Sequence, residues 1–157
     1  MTKMLTVYSL RQELENDAEH LNRVQALSLD RSKPHMGLST RLGLYGSDEW
    51  WRNVESGVIP RAIYSGLITE IFYAGMDSDR RYNSFRMKTD DGREYSYGMV
   101  PENSSYKGLY RPGHRAEIIT IFNEYKRRNP DGTPDVHESP LEIKLSTKPV
   151  IETAASE

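Results

Sequence analysis

The chain has 157 residues, a formal net charge of −2 and no cysteine. Its length is enough to bury a core, and the lack of cysteine excludes disulfides, thiolate zinc sites and cysteine nucleophiles. The charge lacks the basic excess typical of proteins that bind duplex nucleic acid, and no apolar run approaches the roughly 18 residues of a membrane span. We therefore expect a cytoplasmic protein without a signal peptide or a membrane segment.

The first predicted element is an amphipathic helix within residues 1–29. Ser9 and Gln12 have capping-box spacing, and apolar residues follow at intervals of three and four, at Leu10, Leu14, Ala18, Leu21 and Val24. One helix face must therefore pack against another surface. We expect that surface to belong to the same chain, and a homodimer formed through this helix is the alternative. Residues 30–46 contain turn formers without periodicity and are predicted to be a linker.

A second, short helix is predicted at Asp48–Ser56. Ser47 is a suitable N-cap, and Gly57 supplies a left-handed C-terminal stop. Trp50 and Trp51 are consecutive, so their side chains point roughly 100° apart around the helix. We expect one of them to fill the end of the core and the other to be at least partly exposed.

Five β-strands are predicted after this helix, because runs rich in β-branched and aromatic residues alternate with turn formers. Gly66, inside the first strand, is what a bulge or a barrel corner would use. Asp90-Asp91-Gly92 is a strong hairpin turn between the second and third strands. The strands are expected at Arg61–Ala74, Tyr82–Thr89, Arg93–Met99 and His114–Tyr125, and around Leu141, Ile143 and Leu145.

The predicted fold is mainly β within the α+β class. Two long strands with apolar residues on both faces, and a bend in the first, fit a small five-stranded, partly open barrel of the OB or SH3-like type. This barrel-like domain would cover residues 47–148, followed by a frayed tail at 149–157. A five-stranded sheet covered by the N-terminal helix is the competing architecture.

A resemblance to a known group covers about residues 43–126. The segment Gly46-Ser-Asp-Glu-Trp-Trp-Arg-Asn-Val-Glu-Ser-Gly-Val-Ile-Pro60 leads into Tyr64-Ser-Gly-Leu-Ile-Thr69, and Phe85-Arg-Met87 and Asp91-Gly92 follow. This pattern resembles small uncharacterised bacterial proteins with a Trp-Trp helix, an Ile-Pro step, a barrel-entry strand and an Asp-Gly hairpin. The resemblance implies a bacterial origin and a β-barrel-like domain, and it brings no established activity. The N-terminal helix departs from that group's pattern.

No spacing of reactive residues predicts catalysis. The four histidines, His20, His35, His114 and His137, include no pair three or four residues apart that would hold a metal from one helix. Asp77-Ser-Asp79 resembles the start of a calcium loop but lacks its Gly and its closing Glu. No phosphate-binding Gly-rich loop and no nucleophile elbow occurs. We therefore predict that the protein is not an enzyme and has no cofactor or metal, and a hydrolase is a distant third hypothesis.

Aromatic and basic residues give the main functional prediction, which is a protein-interaction module. Trp, Tyr and Arg are enriched at interface hot spots. A bacterial module of this kind would be an inhibitor, an immunity factor that neutralises a toxin, or a subunit of an assembly. The residues predicted to form the binding surface are Trp50, Trp51, Tyr106, Tyr110, Arg80, Arg81 and Arg111.

The alternative is an OB-type barrel that binds single-stranded nucleic acid. The ten tyrosines of the chain and the cations beside them would supply base stacking and charge. Stacking rings must point outward, however, and Phe85, Tyr95 and Tyr97 alternate with polar residues as a core-facing set does. The protein-interaction hypothesis is therefore preferred.

Overall fold

The computed structural model describes residues 3–75, 82–100 and 105–150. Three α-helices, one 3₁₀ turn at Ser105–Leu109 and six β-strands are found in these residues. The helices are α1 (Leu10–Asn16), α2 (Ala18–Leu29) and α3 (Asp48–Glu55). The strands are β1 (Met4–Ser9), β2 (Arg61–Phe72), β3 (Ser84–Thr89), β4 (Glu94–Gly98), β5 (Arg115–Arg128) and β6 (Pro134–Ser146). Within those residues, no helix combines the length and the apolar character that crossing a bilayer demands.

The six strands form one open sheet in the order β1-β6-β5-β2-β3-β4. The mainly β, α+β class is confirmed, but the sheet has six strands where five were predicted, and it does not close into a barrel. β3 pairs antiparallel with β2 and with β4, and Phe85 lies opposite both Ile71 and Tyr97. The hairpin predicted around Asp90-Asp91-Gly92 is therefore confirmed.

The additional strand, β1, lies in residues that were predicted to be helical. Thr6, Val7 and Tyr8 are β-branched or aromatic, and such side chains favour a strand. The helical signals begin only at Ser9, whose Oγ accepts a hydrogen bond from the Gln12 N–H at 3.4 Å. The predicted N-cap is confirmed, and the prediction of one helix from the N-terminus was wrong.

The predicted helix is also divided at Asp17. The backbone N–H of Asp17 donates to the carbonyl of Glu13, which ends α1, and its carboxylate accepts from the His20 N–H, which begins α2. A single residue therefore serves as the C-cap of one helix through its backbone and as the N-cap of the next through its side chain. The periodicity of apolar residues continues through the break, so the pattern alone did not reveal it.

The chain divides into two compact units. The first comprises Met1–Tyr8, Ile63–Ile118 and Glu142–Glu157, and the second comprises Ser9–Ala62 and Ile119–Leu141. β1, β2, β5 and β6 supply residues to both units. The first unit has a core of fully buried side chains that includes Ile68, Phe85, Met87, Ala116, Ile118, Ile143 and Leu145. The inward orientation predicted for Phe85 and Met87 is confirmed.

Gly66 has a different role from the predicted bulge. The register of β2 against β3 shifts between Ile68 and Glu70, so the irregularity falls later in the strand. A Cβ atom built on Gly66 would lie 2.1 Å from the carbonyl oxygen of Lys88. Glycine is therefore required here because the backbone of β3 approaches β2 too closely for any side chain.

Candidate protein-interaction site

The structure describes five of the seven predicted binding residues, and these five are divided between the two units. Trp50 and Trp51 lie on α3 in the second unit, whereas Tyr106, Tyr110 and Arg111 belong to the first. Arg80 and Arg81 lie outside the described residues.

In the first unit, Tyr106 and Arg111 are exposed, but Tyr110 is not. Tyr110 is only 1% exposed, its hydroxyl donates to the carbonyl of Val100, and its ring centroid lies 5.0 Å from that of Phe85. Burial raises the pKa of Tyr110 to about 12. The predicted place of Tyr110 on a binding surface requires an accessible ring, and this ring is instead part of the core. Binding roles for Tyr106 and Arg111 stay predictions.

In the second unit, α3 begins and ends as the sequence predicted. The Oγ of Ser47 accepts a hydrogen bond from the Trp50 N–H at 3.2 Å. Asp48 lies in the first turn, where the helix dipole favours a negative charge. Ser56 is the C-cap, and Gly57 follows with a φ of 85°. The short helix is therefore fixed at both ends, and the direction of its two tryptophans is set by this local structure.

Trp50 is the buried member of the pair, with 2% exposure. Its Nε1 donates to Oδ1 of Asn123 at 3.0 Å. Its ring makes edge contacts with Tyr45, at a centroid distance of 4.8 Å, and with Trp51, at 4.7 Å. The prediction that one tryptophan is buried and the other at least partly exposed is confirmed. Trp50 supports its neighbours and presents no surface of its own.

Trp51 is half-buried and carries a cation on its face. The guanidinium carbon of Arg11 lies 4.1 Å from the ring centroid of Trp51, within cation–π range. Arg11 also donates to the carboxylate of Glu55 at 3.1 Å. We call these three residues, Trp51, Arg11 and Glu55, the Trp51 surface. It combines an indole ring that packs against Trp50 with a guanidinium group and a carboxylate.

Tyr45 is the third ring of the aromatic cluster that Trp50 forms with Trp51. Burial and the nearby carboxylate of Glu13 raise the pKa of the Tyr45 hydroxyl to about 12. The backbone carbonyl of Tyr45 accepts a hydrogen bond from Nε2 of Gln25 at 2.8 Å. This bond attaches the segment before α3 to α2. The raised pKa keeps the Tyr45 phenol protonated throughout the physiological pH range.

The tyrosines that would serve nucleic-acid stacking have a different environment. Tyr64 and Tyr95 stack on each other with ring centroids 4.0 Å apart, and Tyr97 stacks on Tyr95 at 5.7 Å. All three are partly buried and pack against the core of the first unit. They interact with one another and with the core, as their alternation in the sequence predicted. Among the described residues, no group of three or more His, Cys, Asp or Glu side chains is placed to hold a metal ion.

Sequence reasoning missed three residues of the second-unit cluster. Arg11 lay in the predicted N-terminal helix, Tyr45 in the predicted linker and Asn123 in a predicted strand, and none of them was given a role. The hydrogen bond between Trp50 and Asn123 joins residues that are 73 positions apart. No local pattern reports such a contact. The only available signal was that a buried Trp needs an acceptor for its indole N–H.

Comparison with known proteins gives one positive result. A protein-family model described as immunity protein RhsI2 matches residues 4–146. A search of the curated proteins found no match. The matched range replaces the uncharacterised bacterial group with a named family, and it includes the N-terminal segment that departed from that group's pattern. Because the match extends over nearly the whole chain, this protein belongs to the RhsI2 immunity protein family.

Proposed function

We propose that this protein is a non-enzymatic immunity factor that neutralises a toxin by binding to it. The family match supports this proposal, because immunity proteins bind a partner toxin. Neutralisation by binding requires a surface that the toxin recognises, and it requires no reaction by the immunity protein itself. The mixed charge of the chain and the lack of a recognisable catalytic motif agree with this requirement.

The observation that carries the proposal is the Trp51 surface. Trp and Arg dominate binding hot spots because a large ring and a planar cation gain much contact area when water is excluded. Trp51 loses little conformational freedom on binding, since Trp50 already packs against it at 4.7 Å. Arg11 is held over the ring and by Glu55 in the unbound protein. A surface fixed in this way loses less entropy when a partner docks.

Co-expression tests the proposal directly. The partner to use is a toxin domain identified among the genes that neighbour the gene of this protein, expressed from an inducible promoter. We expect cells that also express this protein to grow at the uninduced rate and cells with an empty vector to stop growing. Equal growth arrest in both cultures, with this protein present at normal levels, would refute the immunity function.

A further inference from the structure

A groove of about 300 Å³ opens in the second unit. Val24 and Leu27 of α2 line it together with Tyr125 of β5 and Tyr45. Most of the lining is apolar or aromatic, and none of the lining side chains in the described part of the chain carries a carboxylate. A concave apolar pocket of this size with a few polar groups is typical of a site that receives a side chain or a small ligand.

Asn123 supplies a hydrogen-bond donor to this groove. An indole N–H can only donate, so the amide oxygen of Asn123 must face Trp50, and its Nδ2 group points elsewhere. Asn123 is only 6% exposed and lines the groove. No acceptor for this Nδ2 lies within hydrogen-bond distance among the described residues. Nδ2 is not among the fully buried polar atoms of the described residues, so it keeps some contact with solvent. A ligand in the groove that brings an acceptor can therefore reach it.

Two imidazoles add further donors. His20 of α2 and His137 of β6 both line the groove, and both are exposed to solvent. The ring centroid of His137 lies 5.7 Å from that of Tyr125, which places an imidazole beside an aromatic face. Asn123 and each imidazole can therefore offer an N–H to a ligand, and the hydroxyls of Tyr45, Tyr125 and Ser139 can donate as well.

The carboxylates of the neighbouring strand positions do not offset these donors. Glu124 is bound by Arg41 at 2.5 Å, and Asp135 is bound by Arg127 at 2.7 Å. Both anions are therefore already paired in the unbound protein. A carboxylate from a partner would meet unpaired donors in the groove and little repulsion from these side chains.

We propose that the groove receives an apolar side chain of the toxin, and that a toxin carboxylate next to it accepts hydrogen bonds from Asn123, His20 and His137. Apolar contact would come from Val24, Leu27 and the tyrosine rings. The carboxylate would form charge-assisted bonds, which are the stronger class. The inference rests on the proposed immunity function, and it adds the chemistry of the toxin segment that is recognised.

The test compares two substitutions on the same helix. Val24→Glu places a carboxylate in the groove, where it blocks the apolar space and repels the incoming anion. Ala26→Glu places the same charge on an exposed position of α2 that does not line the groove. Calorimetric titration with the same toxin domain should show about 30-fold weaker binding for Val24→Glu, as for a hot-spot residue. Ala26→Glu should bind as tightly as the unmodified protein.

A second pair covers the case in which Val24→Glu does not fold, as judged by circular dichroism. His137→Ala removes an exposed donor from the groove, and His35→Ala removes an exposed histidine elsewhere. We expect at least roughly tenfold weaker binding for His137→Ala alone, the loss of one hydrogen bond to a charged acceptor. The groove proposal is overturned if the folded Val24→Glu variant, or His137→Ala in its place, binds like its control. If the unmodified protein itself does not bind, the immunity function fails instead.

Discussion

The indole N–H of Trp50 donates to the side-chain oxygen of Asn123 at 3.0 Å, and this bond joins the two regions that we assign to toxin binding. On one side, Trp50 packs against Trp51 of the exposed surface. On the other, it fixes the orientation of the Asn123 amide in the groove. Trp50, with 2% exposure, therefore supports both regions from the protein interior.

Trp50→Phe tests this arrangement. The substitution keeps a ring but removes the donor, so the oxygen of Asn123 is left buried without a partner. An unsatisfied buried acceptor costs about 1–3 kcal/mol. We expect the free energy of unfolding in urea, followed by circular dichroism, to fall by that amount. Trp51→Phe serves as the control, because its indole N–H makes no hydrogen bond to the residues that the structure describes. A loss in the control as large as that in Trp50→Phe would contradict the assigned role.

Much of the local structure was predictable because its causes lie close together in sequence. The hydroxyls of Ser9 and Ser47 cap the helices as expected, and the alternation around Phe85 and Met87 gave the correct inward face. These features depend on neighbouring residues, and short-range patterns report them well.

The unpredicted features depend on contacts between distant residues. β1 is too short to show a clear period, and its place at the sheet edge beside β6 is set by tertiary pairing. Tyr110 follows a loop with turn formers, yet its ring is buried in the core of the first unit. The groove lined by α2, β5 and β6 could not be predicted, because no segment of the sequence contains both of its sides.

Lys126 makes a second long-range connection that can be tested. Its ammonium donates to three backbone carbonyls, those of Leu27 at 2.6 Å, Asp30 at 3.1 Å and Lys33 at 3.2 Å. A cation at the C-terminus of α2 is also favoured by the helix dipole. Lys126→Met keeps the aliphatic stem but leaves the carbonyls without this donor.

We expect Lys126→Met to lower the free energy of unfolding by about 2 kcal/mol, the usual cost of losing bonds to a charged donor. Amide hydrogen exchange should increase in residues 30–37 before it increases elsewhere, because this segment loses its attachment. Lys148→Met changes an exposed lysine and should have neither effect. Unchanged exchange in residues 30–37 would show that Lys126 does not hold the segment.

The raised pKa of Tyr45 predicts that the folded protein loses stability at alkaline pH. Its pKa is raised by burial and by Glu13 to about 12 in the folded protein, whereas an unfolded tyrosine titrates at about 10. The folded state therefore keeps a proton that the unfolded state releases between these values. The stabilisation is complete below the unfolded pKa and is lost as the pH rises toward the folded one.

Comparison with Tyr45→Phe isolates this effect from other groups that titrate in the same range. Between about pH 9 and about pH 11, urea unfolding of the unmodified protein should lose about 1 kcal/mol more than that of Tyr45→Phe. The variant retains the ring contact with Trp50, so the two proteins should be similarly stable near neutral pH. Parallel pH profiles would show that Tyr45 titrates normally.

The central claim is that this protein recognises a toxin through the Trp51 surface, and calorimetric titration with the toxin domain used for co-expression tests it most directly. We expect the unmodified protein to form a saturable complex and Trp51→Ala, folded by circular dichroism, to bind about 30-fold more weakly, as expected for a hot-spot tryptophan. Ile63→Ala, at an exposed apolar position of the first unit, should bind normally. Equal affinities for the unmodified protein and Trp51→Ala, or no binding by the unmodified protein, would contradict the account.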